Sequence, residues 1–186
     1  MTLRIPATVG ALFLAALAFA QNPTPPAPAV DIGKQAPAFK FKDQSGKELN
    51  LADLTAKGPV LVRLTCGCLG CDKELPYFQE IDAAYKKAGL TSIAIFKEPD
   101  AKVAKYAEEK KITMYYGVDP KGESWKVFQA KTMPTNFLIA KGGEILAIYS
   151  GCDTSGLLAK KVSDRIAKTV ATDAVDVKAR VEEQKK

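Results

Sequence analysis

The chain has 186 residues, 47% of them apolar and 26% charged, enough to bury one domain-sized core without disulfide staples. Its formal charge of +6 rests on scattered lysines such as Lys40, Lys42, Lys47, Lys73, Lys86 and Lys87. No Arg-rich block and no basic stretch interleaved with aromatics is present, which argues against nucleic-acid binding. The chain has no histidine, so hydrolases with a His base, imidazole-containing zinc and copper sites and the common haem-attachment motif are excluded.

Residues 1–20 read as a processing signal. Arg4 is followed by an apolar run from Ala7 to Ala20, and Ala18-Phe19-Ala20 supplies the small residues of a cleavage site. The run is shorter than the roughly 20 residues a spanning helix needs, so cleavage after Ala20 and export are expected, with no stable membrane span afterwards. Residues 21–30 are Pro-rich and read as an extended tether. A folded domain is expected over 31–170 and a charged, frayed or loosely helical tail over 171–186.

Within that domain, Phe39–Lys42 and Glu48–Leu51 flank Ser45-Gly46 and predict a hairpin. Val60–Leu64 is a β-rich run suited to a central strand. From Leu69 to Lys87, Leu75, Phe78, Ile81 and Tyr85 recur at helical spacing, and Gly89 marks the stop. Pro76 should kink that helix. Thr91–Phe96 predicts a strand, Ala101–Lys111 a helix, Ile112–Val118 a partial strand and Trp125–Phe128 a short turn or helix. Thr135–Ile139 and Ile145–Ser150 flank Lys141-Gly142-Gly143, a hairpin signal. Leu157–Val170 closes the domain as a helix. This alternation predicts an α/β fold with a mixed central sheet flanked by helices and an N-terminal hairpin extension.

Four cysteines are present, and Cys66, Cys68 and Cys71 fall within six residues, a clustering that suggests chemistry rather than stapling. Cys68-Leu69-Gly70-Cys71 sits between a strand and a helix. Free N–H groups and the macrodipole at a helix N-terminus favour an anion, so Cys68 is the candidate thiolate nucleophile and Cys71 the candidate resolving thiol. Glu74, three residues beyond Cys71 on the same helical face, is placed to accept a proton from that thiol or simply to favour the dipole. Pro134 enters a strand at its first position, where a cis peptide would turn the preceding backbone toward the dithiol.

These segments resemble the exported thiol–disulfide oxidoreductases of the TlpA and ResA kind, thioredoxin-like proteins of the AhpC/TSA–redoxin superfamily. The likeness rests on Ile32-Gly33-Lys34-Gln35-Ala36-Pro37-Ala38-Phe39, on Cys68-x-x-Cys71-x-Lys73-Glu74-x-Pro76, and on Pro134-Thr135-x-Phe137-Leu138-Ile139. It implies a thioredoxin-like fold, exchange with protein thiols and disulfides, a redox partner that resets the dithiol, and neither cofactor nor metal. It also implies a buried carboxylate at Glu74, a cis Pro134, and substrate contacts at Met133, Gly67 and Thr135. Gly67 departs from the aromatic residue usual before the first active cysteine. Cys66 and Cys152 are further departures. Cys152 should lie two strands from the dithiol, roughly 10 Å away at about 4.8 Å per strand, close enough for a loop to bring it to Cys66 or Cys68.

Two other functions fit parts of the sequence. Thr65-x-x-Cys68 matches part of a thiol peroxidase run, but Leu61 stands at its Pro position and Lys131-Thr132-Met133 where its activating Arg belongs. Strand parity is expected to direct Arg63, the one Arg nearby, away from Cys68. An all-thiolate soft-metal module is the second alternative, with Cys66, Cys68, Cys71 and Cys152 as ligands.

Overall fold

A computed structural model describes residues 29–184 and residue 186. The signal segment 1–20 and most of the Pro-rich tether lie outside the described residues.

The elements run β1 (Lys40–Lys42), β2 (Glu48–Asn50), α1 (Leu51–Lys57), β3 (Val60–Thr65), α2 (Leu69–Tyr85), β4 (Thr91–Phe96), α3 (Asp100–Glu109), β5 (Tyr115–Val118), α4 (Glu123–Val127), β6 (Thr135–Ile139), β7 (Ile145–Ser150), α5 (Leu157–Thr169) and α6 (Val177–Glu183). β1 and β2 form the expected N-terminal hairpin. The other strands make one sheet in the order β5-β4-β3-β6-β7. β3 lies at its centre, parallel to β4 and antiparallel to β6, so the sheet is mixed.

Alternation along β3 divides the core. Val60, Val62 and Leu64 pack on one face with Phe41, Leu51, Trp125 and Phe128. Leu61 faces the other side with Leu75, Phe78, Ile81 and Tyr85 of α2 and Val162 and Ile166 of α5. Arg63 and Thr65 share the parity of Leu61, so they lie beneath α2. The dithiol run therefore leaves the C-terminal end of the central strand, where open α/β sheets place their ligand sites.

α2 runs through Pro76 to Tyr85, and a 3₁₀ turn over Lys86–Ala88 then ends at Gly89, whose φ of 98° only glycine adopts without strain. Two elements depart from the expectation. α1 begins at Leu51, which was expected to end a strand: Asn50 caps it by accepting from the Ala52 N–H at 3.1 Å. The tail beyond 171 is not frayed throughout. Asp176 caps α6, Val177 and Val181 are 0% and 2% exposed in the core, and Arg180 pairs with Glu80 of α2 at 2.8 Å. Two valines four residues apart are enough to dock a seven-residue helix that would be unstable alone.

Candidate active site

β3 ends at Thr65, and the next three residues, Cys66-Gly67-Cys68, turn into α2. Cys68 is the N-cap residue, with extended φ and ψ of −73° and 160°, and its side chain makes no capping hydrogen bond. Cys68 is exposed, Cys66 is half-buried and Cys71, one turn into the helix, is 3% exposed. All four cysteines are free thiols.

The three clustered sulfurs form a compact set. The Cys66 thiol donates to Cys68 Sγ at 2.8 Å and lies 3.4 Å from Cys71 Sγ. The three atoms all lie within 4.8 Å of one another, close enough to share a soft metal ion. Cys66 was marked in the sequence only as an addition to the dithiol, but it is the sulfur in contact with both its members.

This arrangement divides the thiols electrostatically. The Cys68 thiol is held below its ordinary range, first by the Cys66 S–H donor and then by the Cys71 backbone N–H at the start of α2. Burial, together with its bond to Cys68, pushes the Cys66 thiol far up. The Cys66 S–H is thus the donor of the pair, and Cys68 the sulfur whose anion the site favours. Replacing Cys66 with Ala removes the donor, raises the Cys68 titration and slows its alkylation several-fold near neutral pH. A pH series of iodoacetamide rates on both proteins measures the change, and superimposable profiles would show that the donor has no effect.

Glu74 is 1% exposed and both its oxygens are occupied. Oε2 pairs with Arg63 Nη2 at 2.8 Å, and Oε1 accepts the Asp153 N–H at 2.7 Å. Arg63 also donates to Asn136 Oδ1 at 2.9 Å and lies 4.0 Å over the Phe78 ring. As expected from strand parity, the Arg63 guanidinium is taken up by Glu74, Asn136 and the Phe78 ring rather than by Cys68, and it lies under α2.

Through Asp153, Glu74 fixes the loop after β7, which carries Cys152. That cysteine reaches the start of α2: a Cβ built on Gly70 would come within 2.9 Å of Cys152 Sγ. The residue is exposed, and its sulfur lies outside the three-sulfur set. Burial, and then the Glu74 charge, raise its pKa.

The Met133–Pro134 peptide is cis. Thr135 pairs with Leu64, and continuing that register brings Pro134 beside Thr65 and Met133 beside Cys66. The Thr135 hydroxyl is buried and donates to the Thr132 carbonyl at 2.8 Å, so this side chain ties down the loop that precedes the cis peptide. The Gly67 N–H donates to Glu98 Oε1 at 2.7 Å. With no side chain at 67, a recess bounded by Phe96, Glu98, Val103 and Tyr106 stays open beside the dithiol. Across it, Tyr106 and Lys110 hydrogen-bond Asp72 at 2.9 and 2.8 Å and clamp α3 to the first turn of α2.

Residues 32–148, more than half of the chain, match the AhpC/TSA family. The chain is similar to the thiol–disulfide oxidoreductase ResA of Geobacillus kaustophilus, 35% identical over 127 residues that cover 68% of this chain and 73% of that protein. ResA of Oceanobacillus iheyensis is 31% identical over 140 residues, 72% of each chain. Among solved structures, a thiol:disulfide interchange protein from a Bacteroides species superposes with a TM-score of 0.63 at 24% identity, covering 76% of this chain and 91% of that one, a likeness of fold.

Proposed function

This chain belongs to the AhpC/TSA family and is a thiol–disulfide oxidoreductase, and we propose that Cys68 and Cys71 exchange disulfides with exported protein substrates. The observation that carries this reading is the exposed Cys68 at the N-terminus of a 17-residue helix, its thiol held below its ordinary range by the Cys66 donor, with Cys71 buried one turn behind it.

In this reading the Cys68 thiolate attacks a substrate disulfide and forms a mixed disulfide. A second thiol of the site then attacks Cys68 and releases the reduced substrate. Cys71 is the proposed resolving thiol. The cis Met133–Pro134 segment, level with Cys66, is the proposed backbone contact for substrate, and the open recess at Gly67 the proposed docking face. Glu74 acts as a positioning residue, because its oxygens hold Arg63 and the Asp153 N–H. A separate redox partner returns the dithiol to its reduced form.

Export is part of the proposal, supported by Arg4, the apolar run to Ala20 and the Ala18-Phe19-Ala20 site. Among the described residues no helix is long and apolar enough to cross a membrane. The folded unit is taken to begin near Asp31 and to include α6.

Side-by-side turnover assays test the function. The protein, supplied with a dithiol reductant, is expected to reduce a peptide disulfide catalytically and to consume hydrogen peroxide no faster than free thiols do. Catalytic peroxide removal without disulfide turnover contradicts the proposal, as does inert chemistry combined with stoichiometric uptake of Cu(I).

A further inference from the structure

A two-cysteine mechanism leaves Cys66 without a redox role, although its sulfur is the one in contact with both Cys68 and Cys71. We infer that Cys66 is a second resolving thiol, so that Cys68 can close a disulfide with either neighbour. This rests on Cys68 being the nucleophile, as proposed above.

Geometry and chain path support it. Cys66 Sγ lies 2.8 Å from Cys68 Sγ before any rearrangement, while Cys71 is packed in the core at 3% exposure. Cys66 is half-buried, in a turn rather than a helix, and its neighbour Gly67 is pinned through its N–H by Glu98. The turn is thereby held with the Cys66 sulfur against Cys68. Gly67 adds no side chain between the two sulfurs.

The electrons and atoms balance without an added oxidant. The Cys68 thiolate attacks one sulfur of the substrate disulfide, whose S–S bond breaks and whose other sulfur leaves as a thiolate. Cys66 Sγ then attacks Cys68 Sγ, the mixed disulfide breaks, and the Cys66–Cys68 bond forms as the second substrate sulfur departs. One substrate sulfur takes the Cys66 proton and the other takes a proton from solvent. The substrate gains two electrons and the two cysteines lose them. Once Cys68 is tied up in the mixed disulfide it is no longer an anion, so one cause of the raised Cys66 titration is removed as Cys66 is needed as a nucleophile. Cys71 can afterwards attack Cys68 and expel Cys66, moving the bond to Cys68–Cys71 with no net redox change. A dithiol reductant resets either form.

The test is a single turnover of the reduced full chain with a disulfide between two unlike peptides. C71S, checked against C71A in case a buried hydroxyl disturbs folding, is expected to release both peptides. Its tryptic peptide Leu64–Lys73, which holds all three clustered positions, should then be two hydrogens lighter and closed to alkylation. C66S/C71S is expected to release one peptide and keep the other bound to Cys68. The inference is overturned if C71S and C71A keep the second peptide bound with Cys66 still alkylatable, or if they resolve through Cys152, which a cross-link between two tryptic peptides reveals. C68S separates this failure from that of the underlying reading: if it still opens the substrate at the unaltered rate, Cys68 is not the nucleophile and both fall.

Discussion

Cys68→Ser is expected to lower disulfide-reductase turnover by on the order of 10³-fold or more while leaving the fold at least as stable. The thiols that remain are poor substitutes. Cys71 is buried, Cys66 is pushed far up in its titration, and Cys152 is raised too and stands outside the three-sulfur set. Stability should move the other way. Position 68 is the N-cap of α2 and Cys68 makes no side-chain bond there, whereas Ser is among the best N-caps, worth about 1 kcal/mol against residues that cannot cap. Turnover and thermal midpoint measured on the same preparation separate the two effects. A variant that unfolds early, or that keeps more than a tenth of the turnover, is inconsistent with this account.

The second large effect is structural. Arg63→Ala is expected to cost about 3–5 kcal/mol, because it leaves the Glu74 carboxylate buried without its cation. For a chain of this size that lowers the thermal midpoint by on the order of 10 °C. The pair is 3% and 1% exposed, so screening by solvent and salt gives little relief. The mutation also removes a donor to Asn136 and the cation above Phe78. Because Glu74 holds the Asp153 N–H, the loop bearing Cys152 should loosen with it, and Cys152 should alkylate faster. Urea unfolding measures the first effect and timed alkylation the second. A loss below about 1 kcal/mol would place Arg63 among weakly coupled surface charges instead.

Much of this arrangement was legible in the sequence, and what escaped it did so for physical reasons. Helical spacing placed α2, a continuous β-rich run placed the central strand, which is buried along its whole length, and Lys141-Gly142-Gly143 marked the β6–β7 hairpin. α1 and α6 are seven residues long, too short for a period to stand out, and each is announced only by a capping Asn50 or Asp176. Spacing identified Cys68 and Cys71, since the strand-to-helix junction fixes what each thiol meets. It left Cys66 undefined, because a residue in a turn has no face until the turn is built. Arg63 escaped for a related reason. An arginine inside an apolar strand signals a buried partner, but that partner, Glu74, comes from the next element, and the Asp153 N–H that completes the cluster is 79 residues further on. Gly67 could be read as a missing aromatic, while its bond to Glu98 and the open recess appear only once α3 packs against the turn.

The claim that Cys68 carries the exchange is tested most directly by limited alkylation. The reduced protein is treated near neutral pH with less than one equivalent of iodoacetamide, and the modified position is read by fragmenting the Leu64–Lys73 peptide. The account predicts that Cys68 is carboxamidomethylated ahead of Cys66, Cys71 and Cys152, and that turnover falls in proportion to the Cys68 label. Preferential labelling of another cysteine, or turnover that persists with Cys68 blocked, would contradict it.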